Sequence, residues 1–180
     1  FTLLVCALGT SCTGVSRGDT SSGNAPYLEG DVAVGAGLSV GPSVGITVGA
    51  SQRLINEPDF DLHLEIEIHR QDLDPVDYEG ERFDGNWDQV RGGLKLVLPG
   101  DEDWDSTVRF GITWVRPVGD PVFVDKPEDF GGFHFGLGRE RLLSPRLLFT
   151  PDLALIGLFE ESDGESGLGL QLTLRFQFLP

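Results

Sequence analysis

Over most of its length the chain alternates apolar and polar residues at the period of two that marks a strand with one apolar face. The clearest case is FDLHLEIEIHR, Phe60–Arg70. Phe60, Leu62, Leu64, Ile66 and Ile68 share one parity, and Asp61, His63, Glu65, Glu67 and His69 the other. Seven further segments repeat the pattern. Val32–Val40 and Val44–Arg53 set Val, Leu and Ile against Gly, Ser, Thr and finally Arg53. Val90, Leu94, Leu96 and Leu98 oppose Arg91, Gly93 and Lys95, and Val108, Phe110, Ile112 and Trp114 oppose Arg109, Gly111 and Thr113. Phe133, Phe135 and Leu137 oppose His134, Gly136, Gly138 and Glu140. The segment Leu147–Phe159 is interrupted by Pro151, and Leu168–Phe178 sets six apolar residues against Gly169, Gln171, Thr173, Arg175 and Gln177. Helical periodicity hardly occurs. The pattern predicts an all-β chain of eight antiparallel strands.

The connections alternate in length. Gln71–Asp88, Val115–Phe130 and Glu160–Ser166 follow the third, fifth and seventh strands, whereas Ile55–Pro58, Pro99–Ser106 and Leu142–Pro145 follow the second, fourth and sixth. An up-and-down meander therefore gathers its longer loops at one end, with the tight turn Gly41–Ser43 as the exception. Transmembrane barrels have this asymmetry, with short periplasmic turns and longer outer loops.

Alternation alone does not say which face is wet. A soluble periplasmic, lipocalin-like barrel binding a small apolar ligand would turn its Leu and Val inward. Three features favour the opposite arrangement. The non-apolar face carries Gly35, Gly37, Gly45, Gly49, Gly93, Gly111, Gly136, Gly138 and Gly169. A water-facing surface has no use for so many glycines, but the lumen of a narrow barrel does, because eight strands leave room for little beyond side chains. The strands also run to about nine to eleven residues, the span of a tilted membrane strand. Aromatic residues lie near strand ends: Tyr27, Phe60, Phe149, Phe176 and Phe178 at the short-turn end, and Trp87, Trp114, Phe130 and Phe159 at the other. Two such girdles are expected at the membrane interfaces.

In that orientation Asp61, His63, Glu65, Glu67 and His69 point into the barrel, where isolated charges would be costly. Neighbouring strands supply the opposite sign on the same parity: Arg53, Arg91, Lys95, Arg109 and, on the closing strand, Arg175. A lumenal network of salt bridges and hydrogen bonds that plugs the pore is expected, with a selective ion path as a variant.

The segments PYLEGDVAVGAG, FDLHLEIEIHR, LKLVLP and GFHFGLGRERLLSPR, followed by a last strand ending LRFQF, resemble small bacterial outer-membrane β-barrel proteins of the OmpA/OmpX-like type. The resemblance runs from about Pro26 to Phe178 and implies an eight-stranded up-and-down transmembrane β-barrel in the outer membrane of a Gram-negative-type bacterium. The terminal strand resembles the signal such barrels present to the insertion machinery, with Phe176 and Phe178 in its apolar positions. The resemblance implies architecture and location more than activity.

Charge and the N-terminal segment add to this picture. The 180 residues carry a formal net charge of -16, which argues against nucleic acid as a partner and allows divalent cations or lipopolysaccharide at the acidic outer loops. Cys6 and Cys12 both precede the strands, so no disulfide can form within the barrel region. FTLLVCALGTSC reads as the apolar part of an export signal. Ala7-Leu8-Gly9 offers a cleavage site, and Gly9-Thr10-Ser11-Cys12 resembles a lipoprotein signal in which Cys12 would be lipidated. Residues 1–26 are thus expected to be signal and leader, and 27–180 the barrel. No run of about 20 apolar residues provides a membrane helix.

Candidate chemistry is sparse. His134 and Glu140 share a face ahead of Ser144, but a lumenal His134 is poorly placed for catalysis on lipid. His63 and His69 lie roughly 20 Å apart along one strand, too far for a joint metal site. DEDWD, Asp101–Asp105, does not match the spaced ligands and fixed glycine of an EF-hand loop. No catalytic residue, metal site or cofactor is expected, and the chain reads as a non-enzymatic barrel with a structural or surface-interaction role.

Overall fold

The computed structural model describes residues 31–41, 44–72, 76–78, 81–83, 86–100, 103–118, 129–159 and 166–180. The signal, leader, Cys12 and Tyr27 readings lie outside the described residues, as do large parts of the outer loops. The strands are β1 (Val32–Val40), β2 (Val44–Glu57), β3 (Phe60–Asp72), β4 (Val76–Tyr78), β5 (Glu81–Phe83), β6 (Asn86–Leu98), β7 (Asp105–Val118), β8 (Phe130–Ser144), β9 (Leu147–Phe159) and β10 (Ser166–Phe178). Eight of them close an antiparallel barrel in the order β1-β10-β9-β8-β7-β6-β3-β2. The short pair β4-β5 forms a separate hairpin within the connection that the sequence marks as a loop. Closure is made by β10 on β1, with Gly37 opposite Arg175 and Leu38 opposite Leu174.

Apart from the nine-residue β1, the barrel strands run to between 13 and 15 residues, longer than the alternation predicts. The added length is polar. Arg70 pairs with Asp88, and Asp88 in turn with Arg116, so the ladder continues past the last apolar residues at the outer end. At the opposite end the turns shrink to Pro58–Asp59 and Pro145–Arg146, each overlapping only the last residue of the connections expected at Ile55–Pro58 and Leu142–Pro145. Register slips beside two of these turns, between Arg53 and Ile55 and between Leu142 and Ser144. Bulges of this kind sharpen local twist at a barrel rim.

Burial fixes the orientation. Lys95 and His63 are 0 % exposed, whereas Ile112 is 75 % and Leu168 76 % exposed. In FDLHLEIEIHR, Leu64 and Ile66 stand 49 % and 48 % exposed, where a soluble barrel would bury them. An apolar surface of this extent is foreign to a water-soluble monomer and natural in lipid. On β6 the outward positions from Val90 to Leu98 span about 27 Å of strand, roughly 20 Å of height at the usual tilt of about 40°. Among the described residues no helix is long and apolar enough to cross a membrane. The crossing is made by strands. Every backbone N–H and C=O in a closed barrel can find a partner on the neighbouring strand, which is what hydrocarbon demands.

Glycine makes the narrow lumen possible where the charged side chains crowd. Gly93 and Gly111 face each other across β6 and β7. A Cβ on Gly111 would lie 2.2 Å from the Gly92 carbonyl oxygen and 2.8 Å from His134 Cε1.

The aromatic residues divide differently from expectation. Trp114 and Phe159 face lipid at the outer end, and Phe159 packs on Phe133 at 5.8 Å. At the periplasmic end Phe149 lies 5.0 Å from Phe176 and 6.3 Å from Trp104, whose ring is flanked by Arg139 and Arg141, each at 5.9 Å. Trp104 belongs to this belt although the sequence places it in an acidic turn. Trp87 and Phe130, expected in the outer girdle, have the parity of Arg91 and His134 and turn inward. They stack on each other at 5.8 Å with rings 4° from parallel.

Candidate functional site

The lumen is layered. Near the periplasmic mouth the buried Ala33 and Leu179 pack together with Leu142, and the Leu179 amide donates to the Arg146 carbonyl at 3.0 Å. Above this apolar seal lies a layer of ionisable groups. Arg53 bonds Asp61 across the β2–β3 turn. Lys95 Nζ reaches Glu65 at 3.5 Å and Glu140 at 3.2 Å. Arg109 sits among three carboxylates, 3.4 Å from Glu65, 3.4 Å from Glu67 and 3.6 Å from Asp152. Arg175, coming from the closing strand, bonds Glu67 and lies 2.5 Å from Asp152. All these cations are at most 4 % exposed.

The histidines edge this layer with uncharged partners as well. His69 Nε2 lies 3.1 Å from Glu67 and 3.4 Å from the Thr47 hydroxyl. His63 Nδ1 is 3.2 Å from the Ser51 hydroxyl, and His134 Nδ1 is 3.2 Å from that of Thr113. Each hydroxyl pair is made across two adjacent strands, so these contacts also hold register.

All ten sequence-singled residues of the lumen set, Asp61, His63, Glu65, Glu67, His69, Arg53, Arg91, Lys95, Arg109 and Arg175, stand on inward positions. Of the five arginines and lysines in the set, Arg91 is not drawn into an ion pair among the described residues. Arg91 hydrogen-bonds only neutral acceptors among the described residues, Gln89 at 3.0 Å and Gln171, although its register partner on β3 is Glu67. Three inward acids stand outside that set. Asp152 and Glu140 each hold a central cation, and Asp105, also buried, accepts the Gly100 amide at 3.0 Å. Their parity is legible: Asp152 lies between Thr150 and Ala154, and Glu140 shares the face of His134 and Gly138.

A cavity amid Glu65, Glu67, Arg91, Arg109, His134 and Asp152 measures about 10 Å³. That volume admits roughly one water molecule. Within DEDWD, the described acids diverge: Asp103 pairs with Arg141 at 2.9 Å outside the barrel and Asp105 points inward. Among the described residues no group of three His, Cys, Asp or Glu converges as a metal would require. His134 and Glu140 are separated in the lumen by Gly136 and Gly138, and Ser144 is exposed beyond the bulge.

Toward the outer mouth the lumen changes character again. Gln71, Gln89 and Gln171 replace the charged pairs, and Trp87, Val115, Ile156 and Leu158 line a cavity of about 220 Å³.

No protein-family model matches the sequence, and no curated protein matches it. Solved structures do share the fold. Neisserial surface protein A (NspA) superposes with a TM-score of 0.61 at 11 % identity, covering 82 % of this chain and 94 % of that one. A major outer membrane protein from Thermus thermophilus gives 0.55 at 14 % identity, over 83 % and 98 %. Ail, the attachment invasion locus protein of Yersinia pestis, solved in complex with the heparin analogue sucrose octasulfate, gives 0.51 at 11 % identity, over 82 % and 97 %. At such identities the likeness establishes the fold. This chain is an eight-stranded antiparallel transmembrane barrel built like small outer-membrane proteins.

Proposed function

We propose that the chain stands in the outer membrane of a Gram-negative-type bacterium as a non-enzymatic, plugged barrel that presents acidic loops to the outside. The observation that carries this reading is the ion-paired layer around Arg109, to which β3, β7, β9 and β10 contribute charges and in which the free space is about one water. A lumen filled in this way suits a rigid scaffold better than a conduit. The outer connections bring Asp72, Asp74, Asp77, Glu79, Glu81, Asp84, Glu160, Glu161, Asp163 and Glu165, a composition suited to divalent cations bridging to lipopolysaccharide or to basic partners. The terminal Phe176 and Phe178, exposed on the lipid side of β10, are available to the barrel-insertion machinery. Purified protein in planar lipid bilayers tests the plug. Absence of single-channel current across the physiological voltage range is the expected result, and steady ion-selective openings would overturn it.

A further inference from the structure

We infer that the outer half of the lumen is a binding site for a small amphiphilic carboxylate, an apolar tail of about six or seven carbons ending in an anionic head. The cavity above the ion-paired layer has a volume of about 220 Å³. A pocket of about 150 Å³ holds a benzene ring, so this one has room for roughly nine carbon-sized atoms.

Its walls are apolar where a tail would lie. Trp87, Val115, Ile156 and Leu158 face one another from β6, β7 and β9, and on β10, whose Leu168 and Leu170 also border the cavity, the lumen-facing positions above Gln171 are glycines. Gly167 and Gly169 put no side chain into the lumen, and a Cβ built on either would meet nothing within 4 Å. These two glycines differ from Gly93 and Gly111, where the neighbouring backbone forbids a side chain. They leave space that the barrel itself does not need.

The unsatisfied buried polar atoms around the cavity have one chemical character. Gln71 Nε2, Gln171 Nε2 and Trp87 Nε1 are all buried N–H donors with no acceptor among the described residues, and all three residues line it. An orphaned buried donor costs about 1–3 kcal/mol, so three around one cavity require an explanation. Beneath them sits Arg91, 3 % exposed, its Nε without an acceptor and its Nη2 held by the oxygens of Gln89 and Gln171. No carboxylate of the described residues pairs with it, in contrast to Arg53, Lys95, Arg109 and Arg175. Donors without acceptors, above a guanidinium that no described carboxylate contacts directly, match a head group that only accepts and carries negative charge. Glutamine amides turn on a broad terminal torsion, so Gln71 and Gln171 can swing to such a head without disturbing the strands. The carboxylate would lie against Gln171 over Arg91, with the tail rising between Trp87 and the two glycines.

The test uses the full barrel in lipid nanodiscs and follows the three tryptophan indole N–H resonances, that of Trp87 being assigned with Trp87→Phe. Octanoate, octan-1-ol and octyltrimethylammonium are titrated separately. Octanoate is expected to shift the Trp87 resonance saturably and to leave Trp104 and Trp114 unmoved. Octan-1-ol should bind at least about tenfold more weakly, as loss of a charge-assisted hydrogen bond requires, and the cation not at all. Gly169→Phe fills the cavity and should abolish the shift while the folded, heat-modifiable barrel persists, and Gly167→Phe provides the same block independently. Arg91→Gln should reduce octanoate binding to the level of octan-1-ol. The proposal fails if octanoate shifts all three tryptophans alike, as simple partition into lipid would do. It also fails if Trp87 does not respond, as when the chain's own loops or water fill the space, or if the glycine variants bind as tightly as the parent.

Discussion

Glu67 and Arg91 are register partners across β3 and β6, yet they do not pair: Arg109 and Arg175 hold the carboxylate, and two glutamines hold the guanidinium. The relationship separates two kinds of lumenal cation. Arg109 is shared by three buried acids, and removing it leaves them only Lys95 and Arg175 as charged partners among the described arginines and lysines. Arg109→Gln is therefore expected to lower folding stability by about 3–5 kcal/mol. Arg91→Gln removes a buried charge that no described carboxylate contacts directly and should cost less than about 1 kcal/mol. Reversible urea unfolding in phospholipid vesicles measures both, and equal losses would contradict the assignment.

Close approach of the backbone at Gly111 and open space at Gly169 give opposite expectations for one methyl group. Gly111→Ala drives a Cβ against the Gly92 carbonyl and the His134 ring, and should destabilise by about 1–3 kcal/mol. Gly169→Ala meets nothing and relieves the backbone-entropy cost of glycine in a strand. It should leave stability unchanged or slightly raised. The midpoint of the heat-modifiable gel shift ranks the two variants.

Much of this arrangement is legible in the alternation, because parity is local and every strand declares its own apolar face. The direction of Asp61, Glu65 and Lys95 follows from it, as does that of Trp87, which lies four residues before Arg91. A girdle reading of Trp87 and Phe130 weighs position along the strand above parity, and parity wins. The pairing of acids with cations is not local. Arg175 reaches Glu67 because β10 closes on β1 with Gly37 opposite it and Gly49 opposite Glu67, a stagger set by the whole barrel. Polar residues beyond the apolar belt carry little alternation of their own, which is why β2, β3 and β7 run past their expected ends. The cavity beside Gly167 and Gly169 depends on what four other strands leave empty, and no single strand records it.

Lipid contact sets a depth-dependent penalty on the outward face. Ile112 stands 75 % exposed in the middle of β7. Ile112→Lys should cost about 2–4 kcal/mol in a bilayer. Arg116→Lys, on the same face beyond the apolar residues, should be nearly neutral. Unfolding titrations of the two in one lipid compare them directly.

At the outer rim Asp129 accepts hydrogen bonds from Arg116 at 3.1 and 3.0 Å. That hydrogen bonding, with the guanidinium charge, holds its carboxyl below the ordinary aspartate value of 3.8. A depressed carboxyl contributes stability above its unfolded pKa and loses it as pH falls through the folded one. The contact should therefore persist at neutral pH and loosen only below the ordinary carboxylate range. Carbon-detected titration of Asp129 follows this, and Arg116→Gln should return the midpoint toward 3.8.

The orientation of the apolar and polar faces is reported directly by lipid-to-protein nuclear Overhauser contacts in nanodiscs. Acyl-chain protons should contact the methyl groups of Ile66 and Ile112, which lie outside, and give none to Thr47 and Ala154, which lie within. Acyl contacts to Thr47 and Ala154, with Ile66 and Ile112 shielded from lipid, would contradict it.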